Sequence, residues 1–130
     1  QFQAADVHTL ASAHPVTAGV PDVFSHTEEW YTFGSVPSGP VTLLAGLDES
    51  TYSPVNTVYG DVSDLRMGPK PSDHPFIWAR CVGDGRMVYS ALGHLDTAFD
   101  VSEHQKILEN AVNWVSKTTD PDGAACPKPQ

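Results

Sequence analysis

The sequence predicts one α/β domain that ends in an antiparallel hairpin and a C-terminal helix. Val41–Leu47 is a nearly continuous apolar run of strand length, typical of a central strand covered on both faces. Phe76–Val82 and Arg86–Leu92 are two strand-like runs joined by a short glycine-containing turn, which favours a hairpin. Apolar residues at helical spacing follow Ser102 and indicate an amphipathic helix against the sheet.

The N-terminal half gives weaker patterns. Ala5–Leu10 alternates weakly and predicts a short strand near a sheet edge. Residues 23–33 are rich in aromatic side chains but fit neither the helical nor the strand period, so they receive no assignment. Residues 48–73 hold scattered prolines and glycines without periodicity, which predicts a long connection such as a lid or binding loop.

The C-terminal helix has both a predicted start and a predicted buried face. Ser102 and Gln105 have the spacing of a capping box. The face predicted to be buried consists of Ile107, Leu108, Ala111, Val112 and Val115. His104 falls in the first turn and is expected to be solvated, and residues 118–130 are expected to form a flexible tail.

Composition bounds the class of function. The 130 residues and 40% hydrophobic content suit one domain with a core. The net charge of -9 argues against nucleic acid and anionic membrane surfaces as partners, and no apolar run is long enough to cross a bilayer. Residues 1–65 carry eight acids and no Lys or Arg, which suits a neutral or cationic ligand or a metal.

Two further features concern the chain as a whole. Cys81 and Cys126 either form one bridge between a strand and the tail or remain a buried and an exposed thiol. The chain begins at Gln1, so we expect a removed upstream segment. Together with the acidic surface and a possible bridge between Cys81 and Cys126, this favours an exported protein. One helix cannot cover both faces of the sheet. The second face must be covered either by aromatic loops or by upstream sequence, and we favour upstream sequence.

An ordered series of short motifs resembles the trehalose-utilisation (ThuA-like) family. The motifs are His14-Pro15, Gly19-Val20-Pro21, Glu28-Glu29-Trp30-Tyr31, Leu47-Asp48-Glu49-Ser50-Thr51-Tyr52, His74-Pro75, Trp78-Ala79-Arg80, Gly83-Asp84-Gly85-Arg86 and Tyr89-Ser90-Ala91-Leu92-Gly93-His94. The resemblance implies a flavodoxin-like α/β fold similar to class I glutamine amidotransferases, of which residues 1–117 would be the C-terminal portion. It also implies carbohydrate metabolism, but glutaminase chemistry is rejected because Cys81 lies in the wrong element to be the nucleophile.

His94 and Glu29 are the predicted catalytic residues. His94 follows Gly93 at a predicted strand end, where an imidazole can transfer protons near neutral pH or bind a metal. Alternatively, it only caps the next segment. Glu29 precedes Trp30 and Tyr31, and a carboxylate beside aromatic rings is typical of carbohydrate sites. Alternatively, the two rings are core and Glu28 and Glu29 are solvated.

The predicted substrate-binding residues are Trp30, Tyr31, His74, Asp48 and Arg80. His74 ends the predicted lid, although a histidine before a proline also suits a rigid turn, which is the favoured role of His14. Asp48 and Glu49 follow the central strand, a position that suits a second acid at the site. Arg80 either binds a hydroxyl or pairs with Asp48 or Glu49. A divalent metal such as zinc remains open, with ligands from His8, His14, His26 or His74 and Glu29.

These observations predict a domain that acts on a sugar or keto-sugar derivative, such as a trehalose-like glycoside, by acid/base chemistry as a hydrolase or lyase. One alternative is a noncatalytic carbohydrate-binding or assembly module, in which Trp30, Tyr31 and Tyr52 stack sugars and the histidines are structural. The other is a fragment that is inactive without its N-terminal half, in which case that half or a second copy of the chain is the expected partner.

Overall fold

The computed structural model describes residues 2–56 and 63–128, which form a five-stranded sheet, a small two-stranded sheet and one helix. The strands are β1 (Phe2–Thr9), β2 (Val23–Glu29), β3 (Val41–Leu47), β4 (Val55–Asn56), β5 (Ser63–Asp64), β6 (Pro75–Val82) and β7 (Gly85–Ser90), and the helix is α1 (Ser102–Val115). Short 3₁₀ turns occupy Pro15–Thr17, Glu49–Thr51, Pro71–Asp73 and Asp96–Asp100.

The large sheet is antiparallel at every junction, with the order β2-β1-β3-β6-β7. The parallel, helix-linked strands of a flavodoxin-like sheet are not found among the described residues. A parallel pair needs a crossover connection, usually a helix. Within residues 2–56 and 63–128 the only α-helix follows the last strand, so the described strands have no helix to link them in parallel.

The strand predictions are confirmed in the middle of the sheet and corrected at its edge. The central strand lies at Val41–Leu47 as predicted, and the predicted hairpin forms from β6 and β7 with Gly83 at φ +55° in the turn. The strand predicted at Ala5–Leu10 is longer and lies between β2 and β3, so β2 is the edge strand instead. The alternation of β2 was obscured because its buried positions include His26 and Glu28.

The helix begins at the predicted residue but presents a different face to the core. Ser102 donates to the Glu103 carboxylate rather than capping the helix, so the predicted capping box is wrong. The buried residues are His104, Ile107 and Trp114, and His104 is therefore not solvated. Val112 is 64% exposed. Positions 104, 107, 111 and 114 also have helical spacing, so periodicity alone allows either face.

The two faces of the sheet have different covers. The face that carries Ile77 and Arg86 packs against α1, since the Arg86 guanidinium lies 5.1 Å from the Trp114 ring and donates to the Trp114 carbonyl. On the opposite face, Phe33 from the β2–β3 connection packs at 5.6 Å from Trp78 and 6.4 Å from Tyr89. An aromatic loop thus supplies part of the second cover that we expected from upstream sequence.

The C-terminal segment is fastened to the sheet. Cys81 in β6 and Cys126 form a disulfide, which decides between the two alternatives left open by the sequence. Arg86 donates to the carbonyls of Thr119 and Asp120, so the part of the predicted tail that is described lies against the domain. No described helix has the length and apolar character needed to cross a membrane.

Candidate functional site

The antiparallel register brings most of the predicted site residues to one end of the large sheet. At this end β2 and β3 finish at Glu29 and Leu47, β6 begins at Pro75, and β7 finishes at Ser90. The other end holds Arg80, which is paired with Val41 at the start of β3. The strand β3 separates the two ends by roughly 20 Å at about 3.3 Å per residue.

His94 lies at this end of the sheet with its ring between a phenol and a carboxylate. Its Nδ1 is 3.0 Å from the Tyr31 hydroxyl and 3.4 Å from Glu29 Oε2. The side chains of His94 and Glu29 are 42% and 36% exposed. Phe2 packs edge-on against the His94 ring at 5.1 Å, which forms an apolar border to this group. The structure thus brings three of the predicted site residues together on an accessible surface.

The surroundings of His94 favour one tautomer. The hydrogen bond of Nδ1 is with the Tyr31 hydroxyl, and the negative charge of Glu29 at 3.4 Å favours the arrangement in which Nδ1 carries the hydrogen and the Tyr31 oxygen accepts it. Nε2 makes no hydrogen bond with any residue in the described part of the chain. An imidazole oriented by a carboxylate through one nitrogen and free at the other is an arrangement suited to general base catalysis.

Glu28 lies directly beneath this group and was missed by the sequence analysis. Its carboxylate is fully buried and accepts hydrogen bonds from the backbone N–H of Gly93 at 2.7 Å and of His94 at 3.4 Å. His26 Nε2 is 3.6 Å from the same carboxylate oxygen. The period-two sequence Phe24, His26, Glu28, Trp30 was the pattern that could have revealed its inward direction.

A second, buried group contains His74, Glu49 and Tyr52. His74 Nδ1 is 2.8 Å from Glu49 Oε1, and the Tyr52 hydroxyl is 3.4 Å from the same nitrogen. Glu49 also accepts from the backbone N–H groups of Met67 and Gly68. Burial, followed by the negative charge of Glu49, raises the pKa of the Tyr52 phenol. The sequence suggested Glu49 as a second acid of the site and Tyr52 as a sugar-stacking ring. Their contact with His74 was not predicted, because residues far apart along the chain make this group.

His74 links the two groups through the backbone. Its Nε2 is 2.8 Å from the carbonyl oxygen of Tyr31, whose hydroxyl contacts His94. Its two ring nitrogens thus contact acceptor oxygens on two different segments, Glu49 at Nδ1 and the Tyr31 backbone at Nε2. The buried His74 ring can thus orient Tyr31, but it does not lie at the surface beside His94.

The remaining predicted binding residues make structural contacts. Trp30 is buried, and its indole N–H donates to the Gln3 carbonyl. The Asp48 carboxylate accepts from the Ser50 N–H and hydroxyl, and these bonds lower its pKa. Arg80 donates to the Ser38 carbonyl, and the ion pair predicted with Asp48 or Glu49 is wrong because the register places those acids at the other end of the sheet.

The histidines considered for a zinc site are spread over the molecule. His14 caps the turn at Pro15–Thr17 by accepting from the Val16 N–H and packs on Trp114, in agreement with a turn role. His26 is paired with Ala5 of β1 and therefore lies on the same face as the odd-numbered residues of that strand. His8 is an even-numbered residue of β1 and lies on the opposite face. Among residues 2–56 and 63–128, no three His, Cys, Asp or Glu side chains are grouped to hold a metal ion.

A cavity of about 380 Å³ lies beside the buried group, at the same end of the sheet as His94. It is lined by Glu49, Ser50, Arg66, Gly68 and Pro69. Arg66 is held against Asp64, whose pKa falls to about 2 because its carboxylate accepts hydrogen bonds from this side chain. The cavity therefore offers hydroxyl, carboxylate and guanidinium groups beside the buried pair of His74 and Glu49.

Comparisons with known proteins agree with the resemblance seen in the motifs. No protein of curated function matches the chain. A solved structure of a ThuA-like protein from Bacteroides uniformis ATCC 8492 matches with a TM-score of 0.66 and 27% sequence identity, over 93% of this chain and 46% of that one. The chain spans about half the length of that protein. The family model for trehalose utilisation matches residues 1–115, and the chain therefore belongs to the ThuA family.

Proposed function

We propose that this chain acts on a sugar or keto-sugar derivative of the trehalose-like glycoside class by acid/base chemistry at His94. Membership of a trehalose-utilisation family supports the substrate class. The observation that carries the proposal is the His94 ring, which is accessible to solvent and held through Nδ1 by Glu29 and Tyr31.

In the proposed step, Nε2 of His94 accepts a proton from the sugar carbon between the carbonyl and the anomeric carbon of a keto-sugar glycoside. The electron pair left on that carbon forms a double bond to the anomeric carbon as the glycosidic C–O bond breaks. The Glu29 carboxylate stabilises the imidazolium that forms, because opposite charges at this distance favour the protonated ring. His94 then returns the proton to the leaving oxygen. The neighbouring Tyr31 and Phe2 rings offer apolar faces for the sugar, as aromatic side chains do in carbohydrate sites.

The test compares the wild-type protein with His94→Gln on trehalose and on its 3-keto derivative, with products separated by chromatography. We expect the variant to lose about 100-fold or more of the turnover, the usual contribution of a general base, with an unchanged midpoint of thermal unfolding. His8→Gln is the matched control. His8 lies on β1 and is also partly exposed, but its partner is Asp48 and not Glu29. Equal turnover in His94→Gln would refute the assignment.

A noncatalytic carbohydrate-binding module is the second candidate, favoured by the exposure of Phe2 and Tyr31 beside His94. Calorimetric binding of trehalose without any product from either glycoside would support this alternative. If neither binding nor turnover occurs, the remaining proposal is that the activity needs another portion of the protein. The related Bacteroides uniformis chain has about twice the matched length, so a version extended to that length tests this proposal.

Two finer proposals concern the whole protein. We propose that the flavodoxin-like layer expected for the family belongs to the portion of the related protein that this chain does not match, and that such a portion or a second copy of the chain is its partner. The Cys81–Cys126 disulfide supports an exported location, because such bonds persist in oxidising compartments.

A further inference from the structure

The strongest unexplained feature of the molecule is the fully buried carboxylate of Glu28. Among the described residues its ion-pair partner is His26, at 3.6 Å, and no Lys or Arg approaches it. Burying a carboxylate is costly unless hydrogen-bond donors satisfy it. Here the donors are three backbone N–H groups, those of Glu29, Gly93 and His94.

The segment bound by Glu28 is also confined from the other side. Gly93 has φ +121°, a conformation that disfavours other residues, and a Cβ at this position would lie 2.9 Å from Phe99. The backbone at Gly93–His94 is therefore fixed between the Glu28 carboxylate and the Phe99 ring. Fixing that backbone fixes the origin of the His94 side chain.

Glu28 and Glu29 hold the same histidine from opposite faces of β2. Successive strand residues point to opposite faces, so Glu28 points inward to the amides and Glu29 points outward to the ring. The outward carboxylate lies 3.4 Å from His94 Nδ1, while the inward one binds the N–H of the same residue. One dipeptide thus sets both the backbone and the side chain of His94.

We propose that Glu28 is a positioning residue, whose carboxylate clamps the Gly93 and His94 amides and so keeps the His94 ring within reach of Glu29 and Tyr31. The proposal rests on the proposed role of His94 as the base. The competing explanation is that Glu28 serves only the stability of the core through its contact with His26.

The test uses Glu28→Gln and Glu28→Asp, with His26→Phe as the matched control. Glu28→Gln removes the charge and leaves one acceptor oxygen for the three backbone N–H donors, whereas Glu28→Asp keeps the charge on a shorter side chain. Hydrogen exchange of the Gly93 and His94 amides, measured by NMR, reports on the clamp without any need for turnover. We expect their exchange to accelerate about 10-fold or more in both variants, as for loss of a hydrogen bond to a charged group.

The kinetic readout separates positioning from stability. In the glycoside assay we expect kcat to fall about 10-fold to 100-fold in the Glu28 variants, the usual effect of an outer residue that orients a functional histidine, with KM changed less. His26→Phe keeps the amide clamp and should leave both exchange and kcat near the wild-type values.

Unchanged amide exchange in folded Glu28 variants would overturn the proposal, and so would an equal loss of kcat in His26→Phe. Failure of both Glu28 variants to fold would assign the carboxylate to core stability and also count against it. Faster exchange in the Glu28 variants, combined with full turnover in His94→Gln, would leave the clamp in place and refute the proposed role of His94 instead.

Discussion

At the scale of single residues, the direction of each side chain along β2 decides its role. Phe24, His26 and Glu28 point to the side of α1, and Glu29 points to the opposite surface. Glu29, Tyr31 and His94 are predicted site residues, and the structure brings those three together. Glu28 was not predicted, because a pair of adjacent glutamates gives no indication of which one is buried until the register of the strand is known.

The buried His26 ring makes the stability of the folded protein depend on pH. Neither of its ring nitrogens has a hydrogen-bond partner in the described chain, and burial lowers its pKa from the ordinary value of 6.5 despite the opposing charge of Glu28. The folded protein therefore holds this ring neutral, while the unfolded chain binds a proton below pH 6.5. Stability is consequently lost as the pH falls below that value, until the folded-state pKa is reached. Burial also lowers the pKa of His14.

We predict that His26→Phe reduces this loss of stability. The variant removes a titrating group and two unsatisfied polar atoms, so its free energy of unfolding should exceed that of the wild type by about 1 kcal/mol at acidic pH. The measurement is urea unfolding at about pH 7.5 and about pH 5.5. Ser25→Ala, at an exposed position of the same strand, serves as the control. A variant with the same pH dependence as the wild type would contradict the prediction.

At the scale of elements, the bounds of α1 follow from the sequence but its buried face does not. The helix packs mainly on the turn at Pro15–Thr17, on β7 and on the turn at Asp96–Asp100. Trp114 is buried there, under the Arg86 guanidinium and with its indole N–H bonded to Asp120. The large Trp114 side chain, with partners on three segments, determines how the helix is rotated against the sheet.

We predict that two alanine substitutions in α1 will distinguish its faces. Ile107→Ala should lower the free energy of unfolding by about 2–5 kcal/mol, because it leaves a cavity in the core. Val112→Ala should change it by less than about 0.5 kcal/mol, because this side chain is largely exposed. Denaturant unfolding of both variants provides the comparison. Similar losses would show that Val112 belongs to the packed face, as the sequence pattern had predicted.

At the scale of the whole molecule, the antiparallel strand order separates two regions with different side chains. The end of the sheet that carries His94 collects acidic, histidine and tyrosine side chains. The opposite end is closed by the C-terminal segment, which the Cys81–Cys126 bridge joins to β6 across 45 residues of sequence. Asp120 supports this closure by accepting from the N–H groups of Ala124 and Ala125, which lowers its pKa.

We predict that breaking the bridge lowers stability and leaves the His94 region intact. Cys126→Ser should reduce the free energy of unfolding by about 2–4 kcal/mol, since the cross-link restricts the unfolded chain. Turnover or sugar binding, measured well below the unfolding temperature, should remain at the wild-type level because the bond lies at the other end of the sheet. Reductant should destabilise the wild type and have no effect on Cys126→Ser. A wild type that is insensitive to reductant would contradict this prediction.

The sequence by itself determined the features that short-range patterns encode. These are the central strand, the β6–β7 hairpin, the bounds of α1 and the histidine after the last strand. Each depends on residues within one or two turns or strands of each other, where periodicity and turn chemistry act directly.

Only the tertiary structure decided the strand order, the face of α1, the disulfide and the burial of Glu28, Glu49 and His104. These features depend on contacts between segments that are far apart in the chain, such as Glu28 with Gly93. A buried acid and an exposed acid have the same letter in the sequence. The buried carboxylate differs from the exposed one because the fold brings backbone N–H donors to it. No local sequence pattern contains that information.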